Sequence, residues 1–364
     1  MARRGAIAAG AALWLAATAA RAELLYVSEG NRLHRLDIES IDRPPLRRAV
    51  LIPSAADDPG EGLDINGMIC PVPGGGGRFI AGEDTGQPAI PGGWALLSAE
   101  GRRLGKLTAS AFSDLTEPYG CAFDAAGRLF TTEIGDPGFL PGNGQLILWF
   151  PPFDVFPGAP GTFPSPALGD SSCKLATDIG TAGGVAVDAA GRVYVASANR
   201  GTIHRFLPPF PTGPDAARGC GARDELGSPR AAAVSREVFA RALATFSGLA
   251  LSGRGTLYAA SVLTGEIFEY DLSGRRLRAV LASERWLPPH RYGTPQGLAV
   301  DSAGTLYYAD LDLVREGGLE IGPGPDGRVW RIRFDARGEP FPPERLLDGL
   351  AFPDGLGVAP GSLP

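Results

Sequence analysis

Histidine, methionine and cysteine are scarce in this chain. Its 364 residues include three His (His34, His204, His290), two Met and four Cys. So few histidines exclude a His-rich zinc or copper centre. No C-x-x-C occurs, which removes thioredoxin-like redox chemistry and zinc knuckles. No G-x-S-x-G occurs, so there is no nucleophile elbow. Positive charge is not in excess either. Lys and Arg number 34 against 40 Asp and Glu, a net charge of −6, and nothing favours nucleic acid or an anionic membrane surface. Beyond the first 22 residues no run is long and apolar enough to span a bilayer.

Glycine and proline are abundant instead, at 52 and 33 residues. The hydrophobic fraction of 44% and the 17 Phe supply a large core, which argues against disorder. A good core with many tight turns points to an all-β protein built from short strands.

The N-terminus reads as a cleaved secretory signal over residues 1–22. Arg3 and Arg4 form a positive region, an apolar run follows from Gly5 to Ala20, and Ala20-Arg21-Ala22 fits the cleavage rule. The mature chain is then one domain, 23–364, periplasmic or secreted, and an exported protein can keep disulfides. The four cysteines, Cys70, Cys121, Cys173 and Cys220, allow three pairings.

A repeat organises the rest. A Gly opens a short apolar strand, a D-x-x-G-type turn follows, and a second strand rich in Tyr, Val and Phe comes next. The clearest copies are YGCAFDAAGRLFTTE (119–133), GGVAVDAAGRVYVASANRG (183–201), SGLALSGRGTLYAASVLTG (247–265) and QGLAVDSAGTLYYADLD (296–312). The guide glycines Gly67, Gly120, Gly184, Gly248, Gly297 and Gly355 are spaced by 53, 64, 64, 49 and 58 residues, and the two chain ends together supply a further 54. DGLGVAP (354–360) is a first half-unit and LLYVSEGNRLHRLD (24–37) is the half it lacks. Two further strands follow each pair. This arithmetic predicts six four-stranded blades in a ring, a six-bladed β-propeller closed by pairing the N- and C-terminal segments. A linear solenoid would need capping units, whereas these ends are complementary halves.

The unit TPQGLAVDSAGTLYYAD resembles NHL-repeat propellers and the senescence marker protein/gluconolactonase family, itself six-bladed. The resemblance covers essentially the whole mature chain. It implies a site at the mouth of the central channel, where that family places oxygen ligands for a divalent metal, typically Asn and Asp before a Gly. Asn66 and Asp354 match that pattern, and Gln296 adds an amide oxygen, the three falling on consecutive blades once the ring closes; the cation would be Ca or Zn. In a metal-dependent hydrolase of lactones or esters, Asp354 would be the catalytic base. The family's Glu ligand is missing from its usual setting, and Gly183 offers no side chain.

The face carrying the starts of the first strands and the ends of the second, here called the top, also gathers Glu29, Glu83, Asp84, Tyr119, Glu133, Asn199, Ser247, Asp310 and Asp312. These are expected to form a polar, largely acidic rim that attracts cations or a basic partner. A wet channel mouth with ordered water is the structural alternative. Two functions of different class follow: an exported, monomeric binding propeller that takes a small-molecule or protein ligand on its top face, and the metal-dependent hydrolase. Asp124, Asp188 and Asp301 are assigned to structural turns on the bottom face. Trp94 is expected near the mouth. Cys173 and Cys220 are expected to pair, one starting an outer strand and the other in the outer connection of the next blade. Cys70 and Cys121, on neighbouring inner strands, are expected to be too far apart to pair and to stay buried free thiols.

Overall fold

The computed structural model describes residues 23–30, 32–43, 45–52, 65–83, 93–107, 118–135, 143–151, 153, 172–223, 229–231, 233–317 and 320–361. Residues 1–22, read as a leader from the sequence, lie outside them, as does Asp84. Six blades, each a four-stranded antiparallel sheet, stand around one axis, and the sheet that holds Pro118–Phe123 is extended to six strands by Pro229–Arg230 and Ala222–Arg223. Their inner strands are Leu356–Pro360, Ile65–Pro71, Pro118–Phe123, Ala182–Val187, Phe246–Leu251 and Pro295–Val300, for blades 1 to 6 in turn. Blade 1 is the closing one. Leu356–Pro360 pairs with Glu23–Glu29, aligning Val27 with Leu356 and Glu23 with Pro360. The six-bladed propeller expected from the repeat is therefore the fold, with its last blade shared between the two ends.

The core is not one mass but six layers, each between two neighbouring blades. Phe130 and Leu148 of blade 3 face Val185 and Val195 of blade 4, and Tyr194 and Ile203 of blade 4 face Phe246 and Leu257 of blade 5. A strand in this setting is buried on both faces, which explains its nearly continuous apolar runs.

The guide glycines hold the axis together. A Cβ on Gly248 would lie 2.2 Å from the carbonyl oxygen of Gln296, and one on Gly355 would lie 1.5 Å from that of Gly67. Each guide glycine thus packs against the backbone that opens the next blade, an approach that any side chain would prevent.

That approach corrects the expectation for two cysteines. Cys70 and Cys121 are joined, with Cα atoms 6.0 Å apart, as are Cys173 and Cys220. Inner strands at an axis crowded enough to exclude a Cβ come within the roughly 7 Å that a disulfide allows. Trp94 also departs from its expected place. It is fully buried and donates to Glu133 Oε1 (3.1 Å). Phe153 and Phe210 are buried edge-on against Phe123 and Phe130. The bottom turns behave as assigned. Asp188 accepts from the amides of Ala190 and Arg192, and Gly191 takes φ +75°.

Candidate functional site

The top of the channel is built from the residues before the guide glycines. Asp354 is 2% exposed, and both its oxygens are used. Oδ1 accepts from the Ser28 hydroxyl (2.7 Å) and Oδ2 from the Gly67 amide (2.9 Å). Ser28 in turn accepts from the Gly355 amide (2.9 Å). One carboxylate therefore ties the first described strand, the last strand and blade 2 together. Ser247 donates to the carbonyl of Gln296 (3.1 Å), and Tyr119 donates to the carbonyl of Asp354 (3.4 Å). Burial, with the charge of Asp354 added, raises the Tyr119 pKa well above its ordinary value, so this hydroxyl remains a donor. Gln296 lies close to the Tyr119 hydroxyl, and its Oε1 is buried without a hydrogen-bond partner. The backbone of Asn66 pairs with Gly82, while its side chain lies outside the described residues.

Hard cations take six or more oxygens. Each oxygen of Asp354 accepts one hydrogen bond, and of the three residues expected to hold a cation the side chains of Asp354 and Gln296 are described while that of Asn66 is not. Among the described residues, no group of three His, Cys, Asp or Glu could hold a metal ion.

The acids assigned to the rim turn inward. Glu29 pairs with His34 and accepts from the Ala351 amide (2.7 Å). Asp310 is fully buried and accepts from the Thr294 amide (2.6 Å), the Asp312 amide (2.9 Å) and Trp330 Nε1 (3.0 Å). Burial nevertheless raises its pKa. Asp312 accepts from Arg328 (3.3 Å) and from the Asp326 amide (3.1 Å). Glu133 is buried beside Trp94. The side chain of Glu83 lies outside the described residues. Asn199 alone of the described set is exposed, and its Oδ1 accepts from the Thr181 amide (3.0 Å).

Asn199 leads to a feature that the repeat does not reveal. It lines a cavity of about 740 Å³ on the top face, between blades 4 and 5, with Leu243, Thr245, Leu263, Trp286 and Leu287. The cavity is off the axis. Its walls are connections: 198–201 and 263–264 join second to third strands, while 242–245 and 286–287 lead from outer strands to the next blade. Trp286 is 66% exposed and Leu243 79%, whereas Trp94 and Trp149 are fully buried. The available signal was the segment SERWLPPH (283–290), an aromatic and a histidine in a strand connection that no repeat requires.

No family model and no curated protein sequence matches the chain. Among solved structures it is similar to a chain of the nidogen/laminin complex, at 13% identity over 93% of this chain and 98% of that one, with a TM-score of 0.55. A luciferin-regenerating enzyme is similar at 13% identity over 85% of this chain and 86% of its own, TM-score 0.54. A protein of unknown function from Bacteroides caccae is similar at 14% identity over 93% and 99%, TM-score 0.53. At such identities these likenesses speak for the fold, and the three solved chains share a propeller frame with this one, not a site.

Proposed function

We propose that this chain is an exported propeller that binds a small, partly apolar molecule on its top face, in the off-axis cavity between blades 4 and 5. The observation that carries the reading is that cavity, lined by Trp286 and Leu243, the two most solvent-open of the large apolar side chains among the described residues. Its volume falls in the range of small-molecule sites, and its mix of apolar walls with a few polar groups suits a ligand with one flat apolar face. Export rests on the leader signature and agrees with two disulfides, which persist in oxidising compartments. No described helix is long and apolar enough to cross a membrane. The metal-dependent hydrolase reading would need a cation at the axis, where Asp354 already serves Ser28 and Gly67.

Trp286 reports the binding directly. A panel of aryl and cyclic alcohols, esters and lactones is screened for protection of tryptophan fluorescence from acrylamide. At least one member should protect the wild-type protein and lose that effect in Trp286→Phe. Protection that survives the substitution, or none across the panel, would remove the cavity from consideration.

A further inference from the structure

A second, smaller cavity adjoins the first. Its volume is about 320 Å³. Gly265 and Arg285 line it, and their chain neighbours Thr264 and Trp286 line the larger one, so the two share a wall. Within the smaller cavity Ser283 Oγ lies 2.9 Å from His290 Nδ1. The other ring nitrogen, Nε2, lies 2.9 Å from the carbonyl oxygen of Leu263.

A carbonyl only accepts, so Nε2 carries the ring proton, and the neutral imidazole turns its Nδ1 lone pair toward the serine hydroxyl. The ring is also fixed sterically. Gly265 has φ +68°, and a Cβ there would fall 2.5 Å from the imidazole carbons. Burial lowers the His290 pKa, and the nearby positive charge of Arg285 lowers it further, which keeps the ring in its basic form near neutrality. Ser283 has one alternative acceptor, the Arg285 carbonyl at 2.9 Å, and its oxygen accepts from the Arg285 amide at 3.2 Å. Its hydroxyl can therefore turn between that carbonyl and Nδ1. Arg285 and Arg291 line the same space, and the Arg291 guanidinium lies 5.0 Å over the Tyr292 ring. A serine in reach of a base, with the base oriented by a third group, is the arrangement that activates a nucleophile.

We infer that Ser283 and His290 form an ester-hydrolysing pair that needs no metal, with Ser283 the nucleophile and His290 its base. The inference rests on the binding reading above: the apolar alcohol part of a carboxylic ester lies in the larger cavity and its carbonyl in the smaller. Ser283 Oγ bonds to the carbonyl carbon as its proton passes to His290 Nδ1, and the carbonyl electron pair moves onto oxygen, where the arginine charge stabilises it. Collapse restores the carbonyl and expels the alkoxide, which leaves with the proton from His290. Water then attacks the acyl-serine carbon and gives a proton to Nδ1. The proton returns to Ser283 Oγ as the acid departs. The balance is ester plus water giving acid plus alcohol.

The test uses the mature protein in excess chelator with p-nitrophenyl butyrate as substrate, and separately with a fluorophosphonate probe followed by peptide mass spectrometry. The expected result is probe on Ser283, and a chelator-resistant rate that falls about 100-fold or more in both Ser283→Ala and His290→Gln. Ligand protection of Trp286 should persist in Ser283→Ala, which shows that the variant is folded with its larger cavity intact. An unlabelled Ser283 in the wild-type protein overturns the inference, and so does a rate that survives Ser283→Ala. If Trp286 is protected while Ser283 is inert, catalysis alone is refuted. If neither responds, the binding reading falls with it.

Discussion

The channel mouth and the off-axis cavity lie on one face of the same propeller, and their polar groups are used in opposite ways. At the axis nearly every described donor and acceptor is spent on architecture. Asp354 holds Ser28 and Gly67, Ser247 holds the Gln296 carbonyl, and Glu29 holds the Ala351 amide. Off the axis, Trp286 stands open and Ser283 meets a histidine whose ring is locked from three sides. Positions generated by the repeat serve the ring, because a buried polar group left unpaired costs more than its hydrogen bond returns. Connections that the repeat does not constrain are free to carry a site.

The sharpest way to break the axis is to remove its closing strand. Deleting residues 352–364 removes Leu356–Pro360, uncovers the edge of Glu23–Glu29, and strips two inter-blade layers of one wall. The truncated chain should fail to fold cooperatively, which circular dichroism and a melting scan would show. A truncated protein that melts cooperatively near the wild-type temperature would refute ring closure.

Next come the disulfides. The pairs Cys70–Cys121 and Cys173–Cys220 are 51 and 47 residues apart in sequence, and loops of that size contribute about 4 kcal/mol each in the chain-entropy model. Reduction should lower the melting midpoint of the wild-type protein, and Cys121→Ser should forfeit a comparable amount under oxidising conditions. Mass spectrometry that finds Cys70 and Cys121 free in the purified, unreduced protein would restore the distance expected from sequence.

Acid distinguishes the two regions by a third route. Burial, together with nearby arginines, lowers the pKa of His204 to about 4, from an ordinary 6.5. Burial also lowers the pKa of His34, which sits between Glu29 and Arg48 in the closing blade. The folded state keeps both neutral while the unfolded chain takes up protons. Their contribution to stability is therefore complete above pH 6.5 and is lost as the pH falls, for His204 down through about 4. Denaturant titrations at pH 7 and pH 4 should show the loss, and His204→Gln should flatten it. Stability that is level across that range would contradict the assignment.

The smallest expected effect is at Trp286. Trp286→Ala should change stability by no more than about 0.5 kcal/mol, as for other exposed positions, while removing ligand protection. A large loss of stability would show that this side chain supports the fold.

The fold was legible because a guide glycine, a D-x-x-G turn and complementary chain ends recur at fixed places, and each has a steric or hydrogen-bonding cause. What failed was distance. Nothing local in Cys70 or Cys121 reports that Gly67 and Gly120 let their strands converge at the axis. The family pattern at Asp354 was equally visible, but its partners Ser28 and Gly67 lie 326 and 287 residues away, so its hydrogen bonds could be read only in three dimensions. Trp94 failed for the same reason, since its partner Glu133 is on the next blade. Trp286 and His290 belong to no period at all, and periodicity was the main instrument.

The central claim is that Asp354 is a clasp of the ring and the site lies elsewhere, and the melting midpoint of Asp354→Ala tests it most directly. The substitution takes the carboxylate away from the buried Gly67 amide, while the Ser28 hydroxyl keeps the Gly67 carbonyl at 3.0 Å, a cost of about 1–3 kcal/mol. For a chain of this size that is a drop of about 1–4 °C. The account predicts that drop, with Trp286 still protected by its ligand. An unchanged midpoint together with lost binding would contradict it and return the site to the channel mouth.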